Sequence, residues 1–142
     1  MGQFSTRRKL ISAVLDTHTA LWSVFDRKRI SQAALQAIRR SVSAGKPLFV
    51  SAISLVETIY LVERGRIPLE AFRKLEATLR DPASGLIVAP VDEDVVQAVF
   101  KIPRQTVPDM PDRIIAATAL RHNLPLLTRD ARIQAAGIKT IW

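Results

Sequence analysis

The chain has 142 residues, which suits one domain, and a hydrophobic share of 48% excludes an intrinsically disordered protein. It has no cysteine, which excludes disulfides and thiolate metal sites. Its 21 basic and 13 acidic residues give a net charge of +8, which favours a polyanionic partner such as nucleic acid. A basic protein without such a partner is the simpler alternative.

The apolar segments of the chain are short, and each is interrupted by charged residues. None approaches the roughly 20 residues that a membrane-spanning helix needs. The apolar stretch Leu10–Leu15 is also too short for the hydrophobic region of a secretory signal, and it ends at Asp16. We therefore expect one cytoplasmic domain over residues 1–142, without membrane contact, in which residues 1–9 form a flexible basic extension.

Short apolar segments alternate with helical patterns along the chain. The predicted strands are Leu10–Leu15, Pro47–Val50, Leu86–Ala89, Pro125–Leu127 and Ile138–Ile141. The predicted helices are Thr17–Phe25, Ser31–Ser43, Ala52–Arg64, Pro68–Arg80, Asp92–Phe100, Asp112–His122 and Arg129–Ala136, with a proline-containing loop over 101–111. This alternation predicts an α/β domain with a mainly parallel sheet, and the functional sites of such sheets lie outside the carboxyl ends of the strands.

Two aspartates stand directly beyond predicted strands. Asp16 follows the apolar run that ends at Leu15, and Asp130 stands just past Leu127. If the sheet is parallel, both carboxylates lie at the same edge of it. The alternative interpretation of each residue is an N-cap for the helix that follows, a position that aspartate favours.

Two further acids interrupt apolar helices. Glu57 lies four residues from both Ile53 and Leu61, on the same helix face, where a carboxylate is costly unless a cation or hydrogen bonds compensate. Asp112 shares a face with apolar residues of its own helix, such as Ile115. The alternatives are a solvated Glu57 on a partly buried face and an Asp112 that serves the helix dipole.

These four acids together indicate a metal site. Helices that follow parallel strands begin at the carboxyl edge of the sheet, so their early residues can reach the aspartates there. Carboxylates that converge in a medium of low dielectric constant repel one another, and oxygen ligands select Mg²⁺ or Mn²⁺. Such ions activate water and stabilise charge on a transferring phosphoryl group.

Four segments of the chain resemble the PIN-domain ribonucleases, specifically the VapC-type toxins of bacterial toxin–antitoxin pairs. The resemblance runs from about Val14 to Trp142. Four segments carry the resemblance, and their order and spacing along the chain are typical of the family. They are Val14–Trp22, Ser51–Glu57, Pro111–Leu120 and Leu124–Asp130.

The resemblance implies a three-layer α/β/α sandwich with a five-stranded sheet, and a metal-dependent endoribonuclease that uses Mg²⁺ or Mn²⁺. The family's catalytic and metal-binding acids match Asp16, Glu57, Asp112 and Asp130. Asp109 matches an accessory acid, and Thr128 matches a hydroxyl near the site, for which a turn residue is the alternative interpretation. The resemblance also implies a homodimer and a small antitoxin that covers the site. We interpret His18 as a packing or hydrogen-bonding residue, and Trp22 and Trp142 as core or interface residues.

Other functions fit the sequence less well. A PIN-like module that binds RNA without cutting it would be indicated by loss of an acid, and all four are present. A phosphatase of the haloacid dehalogenase type requires Asp-x-Asp after its first strand, whereas this chain has Asp16-Thr17-His18. A receiver-type phosphoacceptor needs a lysine after its last strand, whereas Lys139 lies inside the predicted strand. No helix-turn-helix pattern supports a DNA-binding repressor.

Overall fold

A computed structural model of the protein describes residues 12–142. The extension predicted over residues 1–9, and the first two residues of the predicted strand Leu10–Leu15, lie outside the described residues. Within that part of the chain, every helix is too short or too polar to span a bilayer.

Five parallel strands form one sheet in the order β3-β2-β1-β4-β5. They are β1 (Ala13–Leu15), β2 (Leu48–Ser51), β3 (Leu86–Ala89), β4 (Leu126–Leu127) and β5 (Thr140–Ile141). Val14 of β1 lies opposite Phe49 on one side and Leu126 on the other. The chain first builds outward from β1 through β2 to β3 and then returns to add β4 on the other side. The junction between β1 and β4 is therefore the point where the direction of strand addition reverses, and ligand sites concentrate at such points.

Within residues 12–142, seven α-helices connect and flank the strands. They are α1 (Thr17–Phe25), α2 (Gln32–Ser43), α3 (Ala52–Glu63), α4 (Leu69–Arg80), α5 (Glu93–Ala98), α6 (Met110–His122) and α7 (Ala131–Gln134), with 3₁₀ turns at Arg27–Arg29 and Val99–Lys101. Most begin at a Ser or Asp whose side chain accepts a hydrogen bond from a backbone N–H of the first turn, which satisfies a donor that the helix itself leaves free.

The central strands β1 and β4 are fully buried, and two apolar cores lie on opposite sides of the sheet. Ala13 and Leu15 pack with α1, α2 and α4, whereas Val14, which points the other way, packs with α5, α6 and α7. The short strands are continuous apolar runs for this reason, as parallel sheets covered by helices require. The predicted three-layer α/β/α sandwich with a five-stranded sheet is confirmed, and the sheet is parallel at every pairing.

Several helix boundaries differ from those predicted, and two of these helices, α6 and α7, begin at acids of the site. Helix α6 begins at Met110 rather than Asp112, because Asp109 caps it and Pro111 occupies its first turn, where proline needs no N–H partner. Helix α7 covers only Ala131–Gln134, because Asp130 caps it and Gly137 turns the chain towards β5 with a positive φ of 81°. As N-caps, Asp109 and Asp130 lie at the N-termini of α6 and α7, at the carboxyl edge of the sheet.

Candidate active site

An acidic cavity of about 360 Å³ opens at the carboxyl edge of the sheet. The residues that line it are Asp16, Thr17, His18, Trp22, Glu57, Asp109, Asp112, Arg129 and Asp130. A larger hollow of about 750 Å³ lies at the opposite edge, near Pro47 and Gly85, and no acid lines it. Of these two hollows, only the smaller one offers carboxylates.

Asp16 and Asp130 hold their positions through helix capping. Oδ1 of Asp16 accepts a hydrogen bond from the Thr19 N–H at 2.9 Å, and the residue is 8% exposed. Oδ1 of Asp130 accepts from the N–H groups of Arg132 at 2.8 Å and Ile133 at 3.4 Å. In both residues the cap uses one carboxylate oxygen, so the other can face a ligand. Capping and a role in the cavity are thus compatible rather than alternative.

Hydroxyl groups fix the Glu57 carboxylate. Its Oε1 accepts a hydrogen bond from the Thr17 hydroxyl, and the Thr17 oxygen lies 2.9 Å from the buried hydroxyl of Ser54. Because a hydroxyl has a single proton, Ser54 must donate to Thr17 when Thr17 donates to Glu57. Burial raises the pKa of the Glu57 carboxyl, the Thr17 hydrogen bond opposes that rise, and the charge of Asp109 adds to it.

Asp109 and Asp112 lie side by side at the start of α6. A carboxylate oxygen of Asp109 accepts a hydrogen bond from the Asp112 N–H at 3.3 Å. Burial first, and then the neighbouring charges of Asp109 and Glu57, raise the pKa of the Asp112 carboxyl to about 7. Without a cation, the site therefore favours a proton on Asp112 near neutral pH.

Three of the acids lie close enough together to share one metal ion. One oxygen each from Glu57, Asp109 and Asp112 can be chosen so that all three lie within 4.8 Å of one another, a spacing that a single metal ion can bridge. Asp109, predicted as accessory, belongs to this group. Asp16 and Asp130 line the same cavity but do not belong to the group.

Thr128 contacts the site residue Asp130 without lining the cavity. It is fully buried, and its hydroxyl accepts a hydrogen bond from the Asp130 N–H at 3.0 Å. Its carbonyl accepts from the side chain of Gln134 at 3.0 Å. Thr128 does not line the cavity, and these bonds are those of a turn residue that positions Asp130.

Thr17 and Arg129 are cavity residues that sequence reasoning missed. Thr17 follows Asp16 directly, but its hydroxyl can reach the Glu57 carboxylate only because α3 packs against α1. Arg129 is exposed, and its guanidinium carbon lies 4.9 Å from the centre of the Trp22 ring. Trp22 itself is a core residue, as predicted, and His18 packs on it with 5.7 Å between ring centres.

A three-layer sandwich with a parallel sheet and a carboxylate cavity at its carboxyl edge defines an α/β protein with an acidic centre suited to hard metal ions. The family model described as the PIN domain matches residues 13–139, and the chain belongs to the PIN-domain family.

Curated and solved relatives agree with this assignment. The chain is 31% identical over 126 residues to Ribonuclease VapC22 of Mycobacterium tuberculosis, a match that covers 89% of this chain and 92% of the relative. VapBC2 from Rickettsia felis, solved bound to a promoter DNA fragment, shares the fold with a TM-score of 0.68 at 15% identity, covering 91% of this chain and 96% of the other. A toxin–antitoxin complex from Klebsiella pneumoniae gives a TM-score of 0.58 at 21% identity, covering 92% and 96%.

Proposed function

We propose that this protein is a metal-dependent endoribonuclease that acts as the toxin of a toxin–antitoxin pair. The observation that carries the proposal is the convergence of Glu57, Asp109 and Asp112 within 4.8 Å, in a cavity that also holds Asp16 and Asp130. The relative named Ribonuclease VapC22, which matches most of the chain, supports an activity on RNA. The net charge of +8 suits a substrate with a phosphate backbone.

The donor set fits a divalent cation. Carboxylate oxygens are hard ligands that favour Mg²⁺ and Mn²⁺, and the chain has no cysteine to compete. Burial, and then the charges of the neighbouring carboxylates, raise the pKa of Asp112, and a bound cation would offset both effects because it favours the charged form. We propose that Glu57, Asp109 and Asp112 hold the cation together with Asp16 and Asp130. When bound, such an ion lowers the pKa of water and stabilises negative charge on a phosphoryl group.

The remaining residues of the site position these oxygens. Thr17 orients the Glu57 carboxylate, and the helix caps fix one oxygen of Asp16 and one of Asp130. Fixed ligands give the site its geometry before the substrate arrives, and preorganised charge of this kind is the main source of catalysis in phosphoryl transfer. We therefore propose that the protein contributes to catalysis by holding these carboxylates at the position where water would attack the phosphate.

The test is cleavage of single-stranded and structured RNA by the purified protein with Mg²⁺, with Mn²⁺ and with excess EDTA. We expect cleavage with either metal and none with EDTA, together with saturable Mn²⁺ binding by calorimetry. Undiminished cleavage in EDTA would refute the metal mechanism. RNA that is bound but never cut under any of these conditions would instead identify a binding module.

We further propose a small antitoxin and a second copy of this chain as partners. The toxin–antitoxin complex from Klebsiella pneumoniae, which shares the fold, motivates the search for an antitoxin. A homodimer is supported by α3, whose fully buried residues are Ser54 and Thr58 while Val56, Ile59 and Tyr60 are exposed. We also propose a cytoplasmic location, since RNA and a protein antitoxin would meet this chain there.

A further inference from the structure

Arg129 is a cation at the rim of an acidic cavity. It shares the lining with five carboxylates and is adjacent in sequence to Asp130. Even so, the ion pairs found among residues 12–142 involve Arg29, Arg80 and Arg121 and not Arg129. An arginine that served to neutralise the cavity would be expected to contact a carboxylate within about 3 Å. Arg129 is therefore not held in place by the acids around it.

The ring of Trp22 holds Arg129 instead. The guanidinium carbon lies 4.9 Å from the ring centre, within the range of a cation–π contact. Trp22 is 7% exposed and packs against Trp142 with 6.0 Å between ring centres, so its face is fixed by the core. Arg29 also approaches this ring, at 6.0 Å, but its guanidinium pairs with Asp26 and it does not line the cavity. Among residues 12–142, only Arg129 combines a fixed aromatic support with N–H donors at the cavity that form no ion pair.

An RNA strand must bring phosphates to a cavity lined by carboxylates, which repels them. A guanidinium at the rim offers planar, paired donors that match two phosphate oxygens, and an arginine already stacked on a ring loses little freedom when it binds. We propose that Arg129 binds a backbone phosphate of the RNA beside the reacting one, with Trp22 as the residue that positions it. This inference rests on the proposed ribonuclease function and adds a substrate-binding residue to it.

The experiment is single-turnover cleavage of a labelled single-stranded RNA with protein in excess, over a series of KCl concentrations. The half-saturating protein concentration reports binding, and the rate at saturation reports chemistry. We expect Arg129→Gln to raise the half-saturating concentration about five- to tenfold, because one charge-assisted phosphate contact is lost. The slope of log affinity against log salt should fall by about 0.7, the value for one phosphate of a single strand. The rate at saturation should stay within about twofold, since the carboxylates are untouched.

Two variants separate this role from a general effect of charge. Arg129→Lys keeps the charge and should keep the salt slope while losing the bidentate geometry, with a smaller rise in half-saturation of about threefold. Arg80→Gln makes the same change of charge at the opposite edge of the sheet, where Arg80 lines the acid-free hollow, and should change neither quantity.

Three results would overturn the inference. They are an Arg129→Gln variant with parental half-saturation and salt slope, one that loses only the rate at saturation, and an equal loss of slope in Arg80→Gln. If the parent protein cuts no RNA, the proposed function fails by itself. Binding of the same RNA by fluorescence anisotropy then tests Arg129 with the same variants and the same salt slope.

Discussion

The hydroxyl of Thr17 donates a hydrogen bond to the Glu57 carboxylate, although the two residues lie 40 positions apart in the chain. The contact joins the first residue of α1 to the middle of α3, and the buried Ser54 hydroxyl completes the chain of bonds. It is the only side-chain hydrogen bond found between one cavity-lining residue and another in the described part of the chain, other than the helix caps. The orientation of Glu57 therefore depends on a single hydroxyl.

We predict that Thr17→Val lowers the cleavage rate by at least about tenfold, because a hydrogen bond to a charged group contributes about 1.5–3 kcal/mol. The substitution preserves the shape of the buried side chain but removes its donor. It should also raise the pKa of Glu57 further, since the Thr17 hydrogen bond lowers that pKa, and so weaken Mn²⁺ binding at pH 6 more than at pH 8. Single-turnover rates and calorimetry at the two pH values measure both effects. Thr17→Ser, which retains the hydroxyl, is the matched control, and a Thr17→Val protein as active as this control would contradict the prediction.

The second prediction concerns the metal-free protein and pH. Because the pKa of Asp112 is raised from 3.8 to about 7 on folding, the folded chain holds a proton that the unfolded chain releases between these values. The free energy of unfolding in EDTA should therefore fall as the pH rises from about 4 to 7 and level off above that. The loss should be about 1–2 kcal/mol, since solvent screens a group that is only half-buried.

Urea unfolding in EDTA at a series of pH values measures this loss, and Asp112→Asn should flatten it. The variant should then be more stable than the parent at pH 8 and no more stable at pH 4. With saturating Mn²⁺ the parent should instead gain stability as the pH rises, because the ion binds only the deprotonated carboxylates. A parent protein in EDTA whose stability rises through this range would show that the carboxyl group is not crowded as the structure indicates.

The third prediction is that Asp16→Asn abolishes cleavage while the protein stays folded. The Asn side-chain oxygen can still accept the bond from the Thr19 N–H, so the cap of α1 survives. An amide coordinates metal poorly, and it also removes one negative charge from the cavity, so the stability in EDTA should hold or rise. Asp92 makes the same cap at α5, with its Oδ1 accepting from Val95 at 3.0 Å, but lies outside the cavity. Asp92→Asn should therefore cut RNA at the parental rate, and equal losses in both variants would point to damage to the fold.

The fold could be predicted from sequence because its signals are local. Buried parallel strands are short apolar runs, and Ser or Asp caps mark where helices start, so the alternation of strand and helix is readable. Helix α6 was predicted two residues late because the prolines before and within its first turn indicate a loop until Asp109 is seen to cap it. That shift made Asp109 look peripheral to the site.

The finer arrangement of the site depends on contacts that no local pattern contains. Helix α3 is strongly apolar in sequence, yet its fully buried residues are the hydroxyl-bearing Ser54 and Thr58, because they face the interior beside Glu57. The stacking of Arg129 on Trp22 joins the end of β4 to α1, which are far apart in the chain. Sequence reasoning could place the acids at one edge of the sheet, but only tertiary packing selects which three converge.

The last prediction concerns the exposed face of α3 and self-association. Ile59 and Tyr60 lie three and four residues after Val56, so the three side chains form one apolar stripe on the helix surface. Such a stripe on a helix beside the cavity is typical of an interface, and we expect the protein to sediment as a dimer at micromolar concentration. Val56→Glu places a charge within the stripe and should shift the protein to a monomer, because burying an unpaired carboxylate costs more than an interface of this kind gains. Val42→Glu on α2 is the matched control, since Val42 is 50% exposed and Val56 is 47% exposed, and it should remain a dimer. Analytical ultracentrifugation of the three proteins decides the matter: a monomeric parent removes the dimer altogether, and a dimeric Val56→Glu variant moves the interface to another face of the molecule.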